Sequence, residues 1–257
     1  MYLPNKILKV GTSIDPDTPR RPDSVATAYV LDMTQPSPLW RQLDSMAFPR
    51  TYHTATLLPD GNVLVTGGGT TTGATDVTHA VKAAEMWSPT TEKWTTLGSG
   101  NAPRLYHSEA LLLPDGRVLV CGGGRFNDGP SLPTDQLNAE FYSPPYLFKG
   151  SRPAITSAPP SQLFYGQSFP VNFTVQSPAH IAQASLIRFG GVTHDINMSQ
   201  RFLPLSFVDA NGTLTITGVM SPNGPIPFDA NLAPPGYYML FLVDSNGVPS
   251  VAAVTHF

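Results

Sequence analysis

"RTYHTATLLPDGNVLVTGGG", residues 50–69, returns as "RLYHSEALLLPDGRVLVCGGG" at residues 104–124, and this self-match decides the fold. Each copy runs through an apolar stretch, a Pro-Asp-Gly turn, a second apolar stretch and a glycine triplet. That order describes a β-hairpin, because Asp-Gly accepts the positive φ angles that a tight turn needs. Further strand-like segments follow each hairpin. "AAEMWSPTTEKWTTL" (83–97) holds two runs around a Ser-Pro-Thr-Thr turn, and "AEFYSPPYLF" (139–148) echoes its first half.

Four short strands in about 50 residues make one blade of a β-propeller of the kelch sort. Upstream, "KILKVG" (6–11), "ATAYVLD" (26–32) and "LWRQL" (39–43) fit the inner, outer and last strands of an earlier blade. Residues 1–149 are therefore expected to hold about two and a half blades, fewer than the roughly four to eight that close a ring. The first and last blades would then expose apolar faces that a neighbour normally covers. Composition shifts at "KGSRPAITSAPPSQLFYGQSF" (149–169). Beyond it, runs such as "FPVNFTV" (169–175), "TLTITGV" (213–219) and "GYYMLFLVD" (236–244) recur between turn signals. Their spacing predicts an immunoglobulin-like β-sandwich over residues 150–257. The expected class is all-β, a partial propeller followed by a sandwich, with no long amphipathic helix.

Only 13% of the residues are charged and the net charge is −3, with Lys and Arg scattered rather than striped. That pattern argues against a nucleic-acid partner. No apolar run approaches the ~20 residues that span a bilayer. The opening "MYLPNKILKV" lacks the charged, apolar and small-residue regions of a signal peptide. Three acceptor triplets for N-glycans occur at Asn172-Phe-Thr, Asn197-Met-Ser and Asn211-Gly-Thr. The single cysteine, Cys121, excludes an intrachain disulfide and is expected to be buried within "VLVCGGG".

Read alone, Tyr106 and His107 fit a buried aromatic and a hydrogen-bonded core histidine, and His194 fits an exposed loop histidine. Longer strings say more. "RLYHSEALLLPDGRVLV" (104–120), "ASLIRFGGVTHDINMSQRFLPL" (184–205) and "APPGYYMLFLVDSNGVPSVA" (233–252) resemble, in the same order, copper radical oxidases of the galactose oxidase/glyoxal oxidase kind. "AEFYSPPYLF" is similar to the glyoxal oxidase branch, and the resemblance runs from about Lys6 to the C-terminus.

The resemblance implies one copper ion held by two tyrosines and two histidines. Tyr106 matches the axial tyrosine, which takes the proton of the bound substrate, and His107 and His194 match the two histidines. The fourth ligand of the family is a tyrosine cross-linked to a cysteine, which carries the radical. By resemblance that pair belongs upstream of Met1 and is absent from this chain, and Cys121 does not match its cysteine. Two imidazoles and a phenolate suit tetragonal Cu(II). Neighbouring residues in a strand face opposite ways, yet His53 to Pro59 is six residues while His107 to Pro114 is seven. The extra residue is expected to form a β-bulge that turns Tyr106 and His107 toward one ion.

Tyr52 and His53 match a non-ligand position near the substrate approach and read equally as pocket wall or packing. His79, His180 and His256 are expected on the surface or in packing. The segments "TSIDPDTPRRP" (12–22) and "TTTGATDVTHAV" (70–81) lack the Tyr-Gln and the aromatic of the sugar-binding relatives. Small aldehydes or primary alcohols, oxidised by O2 with release of hydrogen peroxide, are the implied substrates. The chain by itself is expected to be inactive without the upstream blades, or to close its ring with the missing propeller half as a partner. A non-enzymatic kelch-and-sandwich module that binds protein or glycan is the alternative. Secretion is expected from the family.

Overall fold

The computed structural model describes residues 1–13, 24–124, 135–221 and 224–257. Among these the protein is all-β, and its only helical segments are two 3-10 turns, Val77–His79 and Pro145–Phe148. Strands β1 (Lys6–Ser13), β2 (Ser24–Asp32) and β3 (Trp40–Gln42) form an antiparallel sheet in chain order. A four-stranded sheet follows, from β4 (Thr51–Leu57), β5 (Val63–Gly69), β6 (Ala83–Ser88) and β7 (Lys93–Ser99). The third sheet has β8 (Ser108–Leu112), β9 (Val118–Gly122) and β10 (Ala139–Tyr142).

The repeated hairpins close identically. Leu57 pairs with Val63 and Leu112 with Val118. The amides of Gly61 and Gly116 donate to Leu58 O and Leu113 O at 3.0 and 2.9 Å. Both glycines sit in the left-handed region, φ +85° and +82°, as the Asp-Gly signal requires.

The remaining strands are β11 (Ala154–Ser157), β12 (Phe169–Thr174), β13 (Ile181–Arg188), β14 (Val192–Thr193) and β15 (Ile196–Asn197). They continue with β16 (Phe202–Ala210), β17 (Thr213–Val219), β18 (Tyr237–Asp244) and β19 (Ala253–His256). Seven of these form one hydrogen-bonded series, β11-β12-β17-β16-β13-β18-β19. Strand β16 joins its halves: Phe202 to Pro204 pair with β13, and Leu205 to Ala210 pair with β17. Alternation in β12 buries Phe169, Val171 and Phe173 in a core shared with Leu186, Leu205, Ile216 and Leu240. Strands β14 and β15 stand apart as a two-stranded ribbon.

The composition shift at 149–169 leaves one core on each side of it, and a third cluster spans it. Tyr2, Val30, Val63 and Trp87 pack with Ile187, Phe202, Met239 and Phe241 in one cluster. Each such side chain, fully buried, stabilises by about 1.5–3 kcal/mol. The Pro-Asp-Gly turns are the docking points. A Cβ on Gly61 would lie 3.3 Å from the Phe202 ring. Arg152 donates to Asp115 O, Pro249 O and Ser250 O at 2.8, 2.8 and 2.7 Å, tying the second turn to the seven-stranded sheet.

An arginine anchors each repeat. The fully buried Arg50 donates to Gly67 O at 2.7 Å, Ala83 O at 2.5 Å and Glu85 Oε2 at 2.9 Å. Arg104 donates to Gly122 O at 2.8 Å, Asn138 Oδ1 at 2.6 Å and Glu140 Oε2 at 3.0 Å. Their own carbonyls accept from the preceding sheet, Arg50 O from Thr12 N and Arg104 O from Gly68 N, at 3.0 and 2.7 Å. Glycine is required at this approach, since a Cβ on Gly11 or Gly67 would lie 2.6 or 2.7 Å from those oxygens.

Glu85→Leu leaves the Arg50 charge buried and unpaired and should cost about 3–5 kcal/mol in urea unfolding. The double change Arg50→Met, Glu85→Leu should recover only part of that, because Gly67 O and Ala83 O also lose their donors. A single variant as stable as the parent would refute the ion-pair account.

Candidate metal centre

Tyr106 and His107 occupy a turn just ahead of β8, closed by Ser108 N donating to Leu105 O at 2.8 Å. Strand β8 then pairs with β9 in unbroken register from Ser108 opposite Gly122. The expected β-bulge is therefore absent, and the extra residue is taken up by this turn, with His107 at φ +63°. Counted from the Pro-Asp-Gly turns, Ser108 corresponds to His53, which lies opposite Gly67, and His107 corresponds to Tyr52 at φ +60°. The two Tyr-His pairs that align in sequence are one residue out of step in structure. Non-glycine residues held left-handed cost on the order of 1–3 kcal/mol each and cluster at functional sites.

His194 arrives from the seven-stranded sheet. Thr193 pairs with Ile196 across a two-residue turn, His194-Asp195, with φ +52° and +66°. Two positive φ angles in a two-residue hairpin define a type I′ turn, the place where Asn-Gly costs least. The ribbon of β14 and β15 reaches between the repeated hairpins, β14 against β8 and β15 against β4. Gln200 holds its base: Oε1 accepts from Leu57 N at 2.8 Å and Nε2 donates to Ala55 O at 2.6 Å. At its tip, Ser108 Oγ donates to Asp195 Oδ1 at 3.2 Å.

Three rings meet as a result. Ring centres lie 3.9 Å apart for Tyr106 and His107, 4.9 Å for His107 and His194, and 5.7 Å for Tyr106 and His194. Tyr52 adds a fourth ring, edge-on to Tyr106 at 5.6 Å. His107 Nδ1 donates to Gly124 O at 3.2 Å, and His194 Nδ1 bonds Thr193 Oγ1 at 2.7 Å. Among the described residues neither Nε2 has a hydrogen-bond partner, so each imidazole offers that nitrogen to a ligand. Metal-binding histidines are typically oriented in this way through the other ring nitrogen. No group of three or more His, Cys, Asp or Glu side chains is placed for a metal among the described residues. An ion here would therefore need the Tyr106 phenol oxygen beside the two imidazoles, a set of nitrogen and oxygen donors that suits Cu(II).

Tyr52 donates from Oη to Thr72 O at 3.3 Å. With His53, His194 and Gln200 it lines a cavity of about 580 Å³. His53 is half-buried, and its Nε2 donates to Val10 O at 3.1 Å while Nδ1 is enclosed without a partner. Burial, helped by the Arg50 charge, lowers the His53 pKa to about 4 against the hydrogen bond to Val10. Asp195 is only 7% exposed, and its Oδ2 is enclosed without a partner. Burial raises its pKa to about 7, with bonds from Ser108 opposing.

Cys121 is half-buried rather than enclosed; it pairs with Glu109 and Ala139 in the third sheet, and burial raises its thiol pKa. His79 is exposed and bonded to Asp76 at 2.7 Å, and His256 stacks on Tyr237. Most of segment 12–22, residues 14–22, lies outside the described residues. Sequence reading missed Ser108, Asp195 and Gln200. A His-Asp pair filling a two-residue turn was the available signal.

Residues 18–146 match the family profile "Glyoxal oxidase N-terminus", and residues 152–257 match "Galactose oxidase-like, Early set domain". The chain belongs to the galactose oxidase/glyoxal oxidase-like family of copper radical oxidases. It is 34% identical to a galactose oxidase of Gibberella zeae, covering 96% of this chain and 35% of that protein. It is 32% identical to aldehyde oxidase GLOX1 of Arabidopsis thaliana, over 86% of this chain and 38% of the relative. A solved fungal alcohol oxidase in complex with copper superposes with a TM-score of 0.87 at 28% identity, covering 100% of this chain and 52% of that one. The chain thus spans just over a third of these two relatives and about half of the solved structure.

His53 should make stability pH-dependent. Its ordinary pKa is 6.5 and the fold depresses it to about 4, so its contribution is complete above pH 6.5 and is lost as pH falls toward 4. The loss should approach about 3 kcal/mol in urea midpoints taken across that window. His53→Gln should flatten the slope, and an unchanged slope would count against the assignment.

Proposed function

We propose that this chain is the C-terminal portion of a copper radical oxidase that oxidises small aldehydes or primary alcohols with O2 and yields hydrogen peroxide. The observation that carries the reading is the convergence of Tyr106, His107 and His194, from two distant segments, with Nε2 of both histidines unpartnered among the described residues. The relatives named galactose oxidase and aldehyde oxidase, and the copper-bound alcohol oxidase, support it. In this reading Tyr106, His107 and His194 hold one copper ion. When bound, copper supplies the one-electron couple through which an alcohol or aldehyde oxidation meets O2.

The protein's own groups do the rest. Gly124 O fixes the His107 ring through Nδ1, and Thr193 Oγ1 fixes that of His194. The Tyr106 phenol oxygen is the base that takes the substrate hydroxyl proton. Tyr52 packs edge-on against the Tyr106 ring and, with His53, lines the approach. The loop at 70–81 is bonded to itself through Asp76, Thr71, Thr78 and His79 and offers no aromatic platform, which favours small substrates over a sugar. The family's cross-linked tyrosine–cysteine pair has no counterpart in this reading, since Cys121 sits beside Glu109 in the third sheet. Turnover would then need groups outside this chain, in keeping with the share of its relatives that it spans.

Domain organisation follows the same reading. The sheets of β1–β3, β4–β7 and β8–β10 would be consecutive kelch-type blades over residues 1–149, and residues 150–257 an immunoglobulin-like domain. By strand position, among the described residues, the first sheet lacks a counterpart of β4 and the third a counterpart of β7. Those are the places where the rest of a propeller would join. Export from the cell goes with the family reading.

Titration of the purified chain with Cu(II) should give a nitrogen-coupled paramagnetic resonance signal. His107→Ala or His194→Ala should each weaken binding by roughly 100-fold or more, beyond what loss of an outer partner does. A copper signal indifferent to both changes would refute the ligand set. On export from a eukaryotic host, Asn172 and Asn211 should carry N-glycans and Asn197 should not. Asn172 and Asn211 are exposed, whereas Asn197 Nδ2 lies so close to Gly190 that a Cβ there would be 2.6 Å away. Peptide mapping after deglycosylation in heavy-oxygen water reads this, and a mark at Asn197 in folded protein would contradict it.

A further inference from the structure

We propose that Asp195 is a positioning residue for the candidate metal centre, its buried carboxylate bonding to Ser108 and so setting His194 against His107. The inference rests on reading Tyr106, His107 and His194 as the ligands.

The first support is the turn itself. Both central residues of a type I′ turn need positive φ, and glycine meets that need at the second position without strain. Here the second position is Asp195, at φ +66°. Its side chain is also drawn inward, 7% exposed, where a carboxylate costs free energy unless it is bonded. In return Asp195 makes a contact with Ser108 that glycine could not make.

That contact spans the two histidine segments. Ser108 directly follows His107 and Asp195 directly follows His194, and Ser108 Oγ donates to Asp195 Oδ1 at 3.2 Å. The chain path from one imidazole to the other therefore closes through a single buried hydrogen bond, with ring centres 4.9 Å apart.

The division of labour around the ribbon points the same way. Gln200 bonds the ribbon's base to Ala55 and Leu57, in the sheet that carries Tyr52. Only the Ser108–Asp195 bond, among the described residues, ties the turn at its tip to the hairpin that follows His107. Without it the turn would keep only the packing of β14 against β8 to place His194 beside His107.

The test compares Asp195→Gly, Asp195→Asn and Ser108→Ala with the parent chain. Asp195→Gly relieves the backbone and removes a buried carboxylate, so it should fold while deleting the clamp. In metal-free crystals its His107–His194 separation should widen or become heterogeneous, and Cu(II) binding should weaken 10–100-fold with a broadened resonance signal. Ser108→Ala should shift both readouts in the same direction. Asp195→Asn keeps an acceptor oxygen and should stay within a few-fold of the parent. Wild-type separation and wild-type Cu(II) affinity in both Asp195→Gly and Ser108→Ala would overturn the proposal. A parent chain that binds no Cu(II) would overturn the ligand reading alone, because the metal-free separation still decides whether Asp195 positions His194.

Discussion

Inner strands that end on glycines create a demand for donors. Gly67, Gly68 and Gly122 are left-handed, φ +71°, +83° and +70°, and the carbonyls of Gly67 and Gly122 are met by guanidinium groups rather than by a further strand. An interior carbonyl without a partner costs free energy comparable to a lost hydrogen bond. Arg50 and Arg104 meet that demand, and Glu85 and Glu140 balance their charge. Each arginine also offers its own carbonyl to the sheet before it, so the sheets are linked in sequence through their inner ends. Tyr106 and His107 follow Arg104 by two and three residues, and the place of their turn is inherited from this linkage.

The seven-stranded sheet contributes in two ways. Its face shares a core with the first two sheets through Ile187, Phe202, Met239 and Phe241, which fixes where it sits. From that base the ribbon of β14 and β15 reaches between the repeated hairpins, β14 against β8 and β15 against β4. Packing provides the platform, and hydrogen bonds at the ribbon's base and tip provide the aim. The site is thus built where two structural parts meet, as small-molecule sites often are.

Local chemistry was legible in the sequence and long-range pairing was not. The Pro-Asp-Gly hairpins, the Ser-Pro-Thr-Thr turn between β6 and β7 and the alternation of β12 follow from residues close in the chain, and the sequence announces them. The order of the seven strands depends on pairings such as β12 with β17, which no local pattern encodes. The extra residue before β8 was visible, but its absorption by a turn was not, because a bulge and a turn cost the same single residue. Tyr106, His107 and His194 were reached through resemblance, since residues so distant in the chain carry no shared spacing. The carboxylates of Glu85 and Glu140 were within reach, as each follows an alanine at the start of its strand in both repeats.

Gln200 behaves as one residue of a strand that is not there. Its carboxamide accepts from Leu57 N and donates to Ala55 O, two groups of β4 that face the same side. Backbone N–H and C=O groups alternate between the two edges of a strand, so a one-residue slip of β4 would present the amide with residues whose groups face β5 instead. The register of β4 is set at its far end by the five-residue loop between Leu57 and Val63. Loop length in one hairpin therefore sets a metric for a histidine carried by another part of the chain. Insertions at that loop would be felt at the site through the register of β4.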